Sequence, residues 1–195
     1  MSKSTSEWIE LFQKEIPKEL TLSRWEHSVR VAESAEQLAN IHSYPEPKIA
    51  YLAGITHDIT KQKKNEFHLQ LFKEHLEFDF SSIPEESYHA FSAVFYLQNQ
   101  YSFYNPEIFS AISSHTLGKK EMSLLDKLIY ASDFLGSDYA MKQSSYKIWK
   151  QKTEENLNFG VYLKASKTIH QLIESKSKIF PTTIDTYNES INKIC

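Results

Sequence analysis

Residues 49–60 read IAYLAGITHDIT, an apolar run that closes on an adjacent histidine and aspartate, His57 and Asp58. Ile49, Leu52, Ala53 and Thr56 recur at the spacing of one helix face, so the segment reads as a buried helix. A polar pair at its end has two meanings. It can turn the chain out into water, or it can deliver two side chains to a site shared with other helices. What the rest of the chain can bring to that point decides between them.

Working outward, Ser23 is placed to cap a helix through RWEHSVRVAESAEQLANIH (24–42), with a stripe of Trp25, Val29, Ala32, Ala35, Leu38 and Ala39. Pro45 and Pro47 break the chain before the His-Asp helix. Residues 61 to 84 read as a short helix with irregular connections, followed by SYHAFSAVFYLQNQY (87–101), a helix with His89 in its first turn. Asn105-Pro106 is a start signal, a capping side chain followed by proline at the first helical position. It leads into EIFSAISSHT, where Ile108, Ala111, Ile112 and His115 share a face, and Gly118 ends the segment. Ser123 then opens SLLDKLIYASDFL, with Asp126 and Asp133 two turns apart on one side. Residues 140 to 176 read as a long helical stretch with a lysine-rich exposed side, interrupted near Asn158-Phe159-Gly160. With four glycines in 195 residues and few alternating patterns, the class is all-α, a single-domain helical bundle. Its core spans about 20–140 and a helical extension about 141–195, with no linker or repeat to divide them.

Composition narrows the function. The chain is 41% hydrophobic and 24% charged, enough to bury a core. A net charge of −3 argues against a general nucleic-acid binder, whose phosphate contacts need a basic excess. The single cysteine, Cys195, permits neither a disulfide framework nor a thiolate metal site. With no signal-peptide pattern and no apolar run long enough for a membrane span, a cytoplasmic protein without membrane association is expected.

Ligand-type residues on apolar faces are His27, His57, Asp58, His89, His115 and Asp133. Four imidazoles and two carboxylates without thiolate suit iron, manganese, cobalt, zinc or magnesium, and a carboxylate such as Asp58 can bridge two ions. Each has a plainer reading: a packed, hydrogen-bonded histidine, or an aspartate capping a turn or pairing with a lysine. His42, His68, His75 and His170 fall near loops or solvated faces and fit no common site.

The order of the motifs adds to the spacing. RWEH, THDIT, YHAFSA, SHTLG and MSLLDKLIYASD together resemble the HD-domain metal-dependent phosphohydrolases, whose H…HD…D pattern falls on His27, His57-Asp58 and Asp133. His89 and His115 match the subset that holds two metals. More narrowly, the chain is similar to the YqeK-type symmetrical bis(5'-nucleosyl)-tetraphosphatases. That likeness rests on R-x-x-H at Arg24 and His27, HDxxK at His57, Asp58 and Lys61, HT-x-G at His115, Thr116 and Gly118, MSLLDK at 122–127 and PTTIDTYN at 181–188. It implies an HD-type helical bundle with two metal ions, iron foremost, and manganese or another divalent ion also compatible. His27, His57, Asp58 and Asp133 would hold one ion, and Asp58, His89 and His115 the other. It implies cleavage of diadenosine tetraphosphate into two ADP, with catalytic roles for Asp58 and Lys61 and substrate contacts from Arg24, Lys61, Thr116 and Gly118.

Lys63, Lys64, Lys119 and Lys120 are expected to flank the mouth, and Asp126 to support the Asp133 helix. Tyr101, Phe103 and Tyr104 are candidates for an interface or a base contact. The chain departs from the family pattern in two places: DFLGSDYAMKQ (133–143) lacks a Glu-Pro and nearby arginine, and Ala90-Phe91 stands for a Gly-Pro. Those departures leave open a hydrolase of another nucleotide, or a metal- and nucleotide-binding regulator with little turnover. A structural helical protein is the remaining alternative.

Overall fold

The structure, a computed structural model, describes residues 3–75 and 79–194, which leaves Cys195 outside the described residues. Among them no strand occurs, and the helices are α1 (Thr5–Glu15), α2 (Leu22–Ile41), α3 (Pro47–Thr56), α4 (Asn65–Glu74), α5 (Tyr88–Tyr101), α6 (Pro106–Ser114), α7 (Leu124–Leu135), α8 (Asp138–Met141), α9 (Tyr146–Glu155), α10 (Leu157–Glu174) and α11 (Pro181–Ile191). Among the described residues no helix is long and apolar enough to cross a membrane. The all-α expectation holds.

Local signals set most boundaries. Asn105 accepts from the backbone of Glu107 and Ile108 and Pro106 takes the first position of α6. Ser123 and Asp126 form a reciprocal capping box at the start of α7. Two local expectations shift. Thr21, not Ser23, stands at the cap of α2, and its inward face is His27, Ser28, Val31, Ala32, Ala35, Leu38 and Ala39. Val31 is thus fully buried where Val29 was expected. The C-terminal stretch is broken at Asn156 rather than 158–160, because Asn156 closes α9 and its side chain caps α10.

The position of the site follows from how closely α2 and α3 approach. A Cβ built on Gly54 would lie 2.5 Å from the Cα of Ala32, so only glycine lets these backbones meet. That contact sits near His27 on one helix and three residues before His57 on the other. Ile49, Leu52, Ala53, Leu97, Ile108, Ile112, Leu125 and Leu128 fill the interior around it.

The C-terminal helices are part of the same assembly. α10 packs on both α7 and α11. Within α11, Thr183 Oγ1 donates to the carbonyl of Leu117 (2.9 Å) and Thr186 Oγ1 to that of Lys119 (3.3 Å). The PTTIDTYN segment therefore fastens the loop that follows His115.

Candidate metal centre

All six ligand-type residues converge. His57 caps the C-terminus of α3 and His115 that of α6, each extending a helix whose last carbonyls lack intrahelical donors. Both use the same local device. His57 Nδ1 lies 2.6 Å from the Gly54 carbonyl, and His115 Nδ1 2.6 Å from the Ile112 carbonyl. His27, from the second turn of α2, places Nδ1 3.1 Å from the Gly136 carbonyl beyond α7. A carbonyl only accepts, so Nδ1 carries the proton in all three rings and Nε2 is turned inward.

Those nitrogens face carboxylate oxygens. His27 Nε2 stands 3.1 Å and His57 Nε2 3.6 Å from Asp133 Oδ1. The same two nitrogens are 3.8 and 3.4 Å from Asp58 Oδ2. On the other side, His89 Nε2 and His115 Nε2 lie 3.4 and 3.6 Å from Asp58 Oδ1, and 3.2 Å from each other. The two oxygens of Asp58 thus look toward different histidine sets. His57 Nε2 and Asp58 Oδ1 are buried without a hydrogen-bond partner. Lone pairs gathered this closely away from water need a cation or a proton among them. The donor set and the two orphaned atoms fit divalent metal ions, and groups drawn from these residues are compact enough to hold one.

Electrostatics describe the metal-free state. Burial is the largest influence on His57 and opposes its charge, yet the Asp58 and Asp133 carboxylates outweigh it and push the imidazole up to about 10. Burial likewise resists ionisation of Asp58 and Asp133, but the facing cations hold both well below the usual carboxylate range. For His89 and His115 burial wins and both are shifted down, which favours the neutral, ligating form.

Around this floor opens a cavity of about 610 Å³ lined by Arg24, Lys61, Thr116, Phe134, Ser137, Tyr139 and one face of α10. Arg24 Nη1 donates to Asp58 Oδ2 at 3.0 Å. Lys61 Nζ sits 3.2 Å from His89 Nε2, and burial, its largest influence, lowers its pKa. Thr116 Oγ1 is 3.3 and 3.2 Å from the Nε2 atoms of His89 and His115.

The remaining expected residues lie outside this cavity. Gly118 does not line this cavity; at φ +75° it packs against Thr186, whose Oγ1 would lie 2.1 Å from any added Cβ. The flanking lysines are spoken for: Lys63 pairs with Glu19 (2.6 Å), Lys119 with Asp126 (2.7 Å) and Lys120 with Asp185 (3.5 Å). Lys64 precedes α4 and is absent from the lining as well. Asp126 caps α7 and receives the Ser110 hydroxyl at 2.7 Å, so it ties α6 to α7. Asp138 pairs with Arg30 at 2.7 Å. Phe103 is buried beside Trp8 and Phe12, and Tyr101 packs edge-on to Phe12; neither lines the cavity. His68 is buried rather than solvated and bonds Ser92 Oγ at 2.7 Å.

The sequence reading missed Lys164. It belongs to the buried face of α10, not the exposed lysine-rich side. Its Nζ donates to Asp133 Oδ2 (2.5 Å) and to the His115 carbonyl (2.6 Å), and lies 4.3 Å from the Tyr130 ring centroid. A lysine among Gly160, Val161, Leu163 and Ala165 was the available signal, because a charge on an apolar stripe needs a partner.

Residues 24–136 match the HD domain family, more than half of the chain. The protein belongs to the HD domain family. Curated relatives extend the likeness over nearly the full length. A symmetrical bis(5'-nucleosyl)-tetraphosphatase of Halalkalibacterium halodurans is 29% identical over 171 residues, covering 87% of this chain and 90% of the relative. The Staphylococcus aureus protein of the same name is 28% identical over 177 residues, covering 90% and 91%. A solved structure from Clostridium acetobutylicum, described as a predicted HD superfamily hydrolase involved in NAD metabolism, superposes with a TM-score of 0.85 at 23% identity, covering 95% of this chain and 97% of that one. At that identity the match speaks for the HD fold.

Proposed function

We propose that this HD-domain protein is a metal-dependent hydrolase that cleaves diadenosine tetraphosphate symmetrically into two ADP. The observation that carries the reading is Asp58, buried between two histidine sets with one oxygen toward each, at the floor of a cationic cavity. His27, His57, Asp58 and Asp133 would hold one ion, and Asp58, His89 and His115 the other. Iron leads among the candidates and manganese fits the same donors. Such a pair, when bound, supplies an activated water and neutralises phosphate charge.

The chain's own groups do the rest. The carbonyls of Gly54, Ile112 and Gly136 keep three imidazoles in the tautomer that leaves Nε2 free. Lys61 and Arg24, both at the cavity wall, meet the negative polyphosphate. Thr116 supplies a hydroxyl beside His89 and His115 for a phosphate oxygen. Water adds to one of the two central phosphorus atoms, its bond to the bridging oxygen breaks, and that oxygen leaves on the second ADP. The cationic walls balance the charge that collects there.

Product analysis tests the reading. Metal-replete protein incubated with diadenosine tetraphosphate is expected to give only ADP, and a His57→Ala, Asp58→Ala variant none. Appearance of ATP and AMP would exclude symmetrical cleavage. A second reading, hydrolysis of another nucleotide, is favoured by the segment after Asp133, which lacks the Glu-Pro and nearby arginine and lines the cavity with Ser137 and Tyr139. A nucleotide panel with the same protein separates the two.

A further inference from the structure

His27, His57 and His115 are each held by a carbonyl on Nδ1, and His89 is held differently. Among the described residues no carbonyl meets its ring, whose Nδ1 and Nε2 lie 3.3 and 3.2 Å from Lys61 Nζ. An ammonium on a flexible stem fixes an imidazole poorly. What is fixed instead is the His89 main chain. Thr60 Oγ1 donates to the His89 carbonyl at 2.9 Å. Thr60 Oγ1 also lies 2.8 Å from Ser92 Oγ, which in turn lies 2.7 Å from His68 Nδ1. Thr60 and Ser92 are fully buried and His68 is 4% exposed, so water does not compete for these groups. Each hydroxyl has one proton to give. That of Thr60 goes to the carbonyl, so Ser92 donates to Thr60 and His68 Nδ1 donates to Ser92. The bonds run in one direction, from His68 to the His89 carbonyl.

The chain joins three parts of the fold. His68 belongs to α4, Ser92 lies one turn beyond His89 on α5, and Thr60 lies two residues beyond Asp58. α5 packs chiefly on α4 and α6. The Thr60 bond is therefore a direct tie between the first turn of α5 and the turn that carries Asp58, whose Oδ1 is 3.4 Å from His89 Nε2. We infer that His68 is a positioning residue for the second metal ion, resting on the two-ion reading above: through Ser92 and Thr60 it sets His89 against Asp58. Without the His68 proton, the Ser92 hydroxyl has a second acceptor in the His89 carbonyl, 3.3 Å away, and Thr60 can donate to Ser92 instead. The tie from Thr60 is then one arrangement among several. The His27–His57–Asp133 group keeps its own carbonyl anchors, so the loss falls on the Asp58–His89–His115 group alone.

The test titrates manganese into the chelator-stripped full chain and follows binding by calorimetry, with the second-ion step identified as the one missing from His89→Ala. His68→Leu keeps the bulk of the ring and removes its donor. It is expected to weaken the second ion about tenfold and leave the first within about twofold. Thr60→Val, which has the same shape and leaves α4 untouched, should do the same. The two changes together should be no worse than either alone, because they break one chain. His68→Asn, whose amide can place an N–H near the Nδ1 position, should recover most of the affinity. Leu71→Ala removes buried apolar bulk from the same helix without entering the chain, and should lower Tm while sparing both ions. Unchanged second-ion affinity in His68→Leu and Thr60→Val overturns the inference, as does an equal weakening in Leu71→Ala, which would assign the effect to α4 packing. A wild type that binds fewer than two ions removes the two-ion reading and this inference with it. Failure of the hydrolase reading alone looks different: His68→Leu loses the second ion as expected, yet the wild type releases no ADP from diadenosine tetraphosphate.

Discussion

Replacing Lys164 by methionine keeps most of the side-chain volume and removes the buried ammonium. Two groups lose a donor, Asp133 Oδ2 at 2.5 Å and the His115 carbonyl at 2.6 Å. Breaking a buried pair from one side costs about 3–5 kcal/mol because the remaining charge is stranded. Asp133 keeps 22% of its side chain exposed, which softens that penalty toward the lower end, about 3 kcal/mol in the metal-free protein. For a chain of this length the loss corresponds to a fall in Tm of roughly 6–12 °C. Bound metal should blunt the effect, since Asp133 then faces another cation. What remains is the unmet His115 carbonyl, about 1 kcal/mol. Thermal and urea unfolding with chelator and with added manganese measure both states. A cycle with Asp133→Asn should return a coupling of at least about 1 kcal/mol. A metal-free loss below about 1 kcal/mol, or no coupling, would refute the argument.

Asp58→Ala is expected to reduce bound metal at both histidine sets, whereas His89→Ala should spare the His27–His57–Asp133 group; metal content after reconstitution, by mass spectrometry, distinguishes them. Stability of the chelated protein should peak near neutral pH. His89 and His115 are held below their ordinary 6.5, so an unfolded chain takes up those protons first and stability is lost as pH falls beneath that value. Asp58 and Asp133, depressed from 3.8, add a further loss at more acidic pH. His57 has the opposite sign: its contribution is fully present below 6.5 and fades as pH rises toward about 10. Melting curves across that range that keep rising to pH 10 would show that His57 carries no such proton. Gly118→Ala should cost about 1–3 kcal/mol, from positive φ and collision with Thr186, with KM for substrate retained; a raised KM at unchanged Tm would return Gly118 to the substrate site.

The legible part of this protein is what a helical turn or two encodes. Asn105-Pro106 and Ser123 mark helix starts because a capping side chain satisfies backbone donors two or three residues away. The IAYLAGITHDIT run closes a helix at His57 because its apolar residues repeat at helical spacing up to that point. Even the tautomers of His57 and His115 are local, since each ring finds a carbonyl three residues back. Ligand residues on successive helix ends therefore appear in the sequence in the order in which the fold uses them.

Tertiary packing decided the rest. The orientation of His27 depends on the Gly136 carbonyl, 109 residues away, and the approach of α2 to α3 on Gly54 meeting Ala32. Beyond Arg24 and Lys61, which their motifs marked, which cations serve the cavity was invisible, because every lysine carries the same charge in sequence. Lys63, Lys119 and Lys120 found carboxylates elsewhere, while Lys164 and Lys167 were turned inward when α10 docked on α7. A cap or a stripe is set by neighbours along the chain, but the partner of a long flexible cation is set by whichever opposite charge the folded chain leaves within reach.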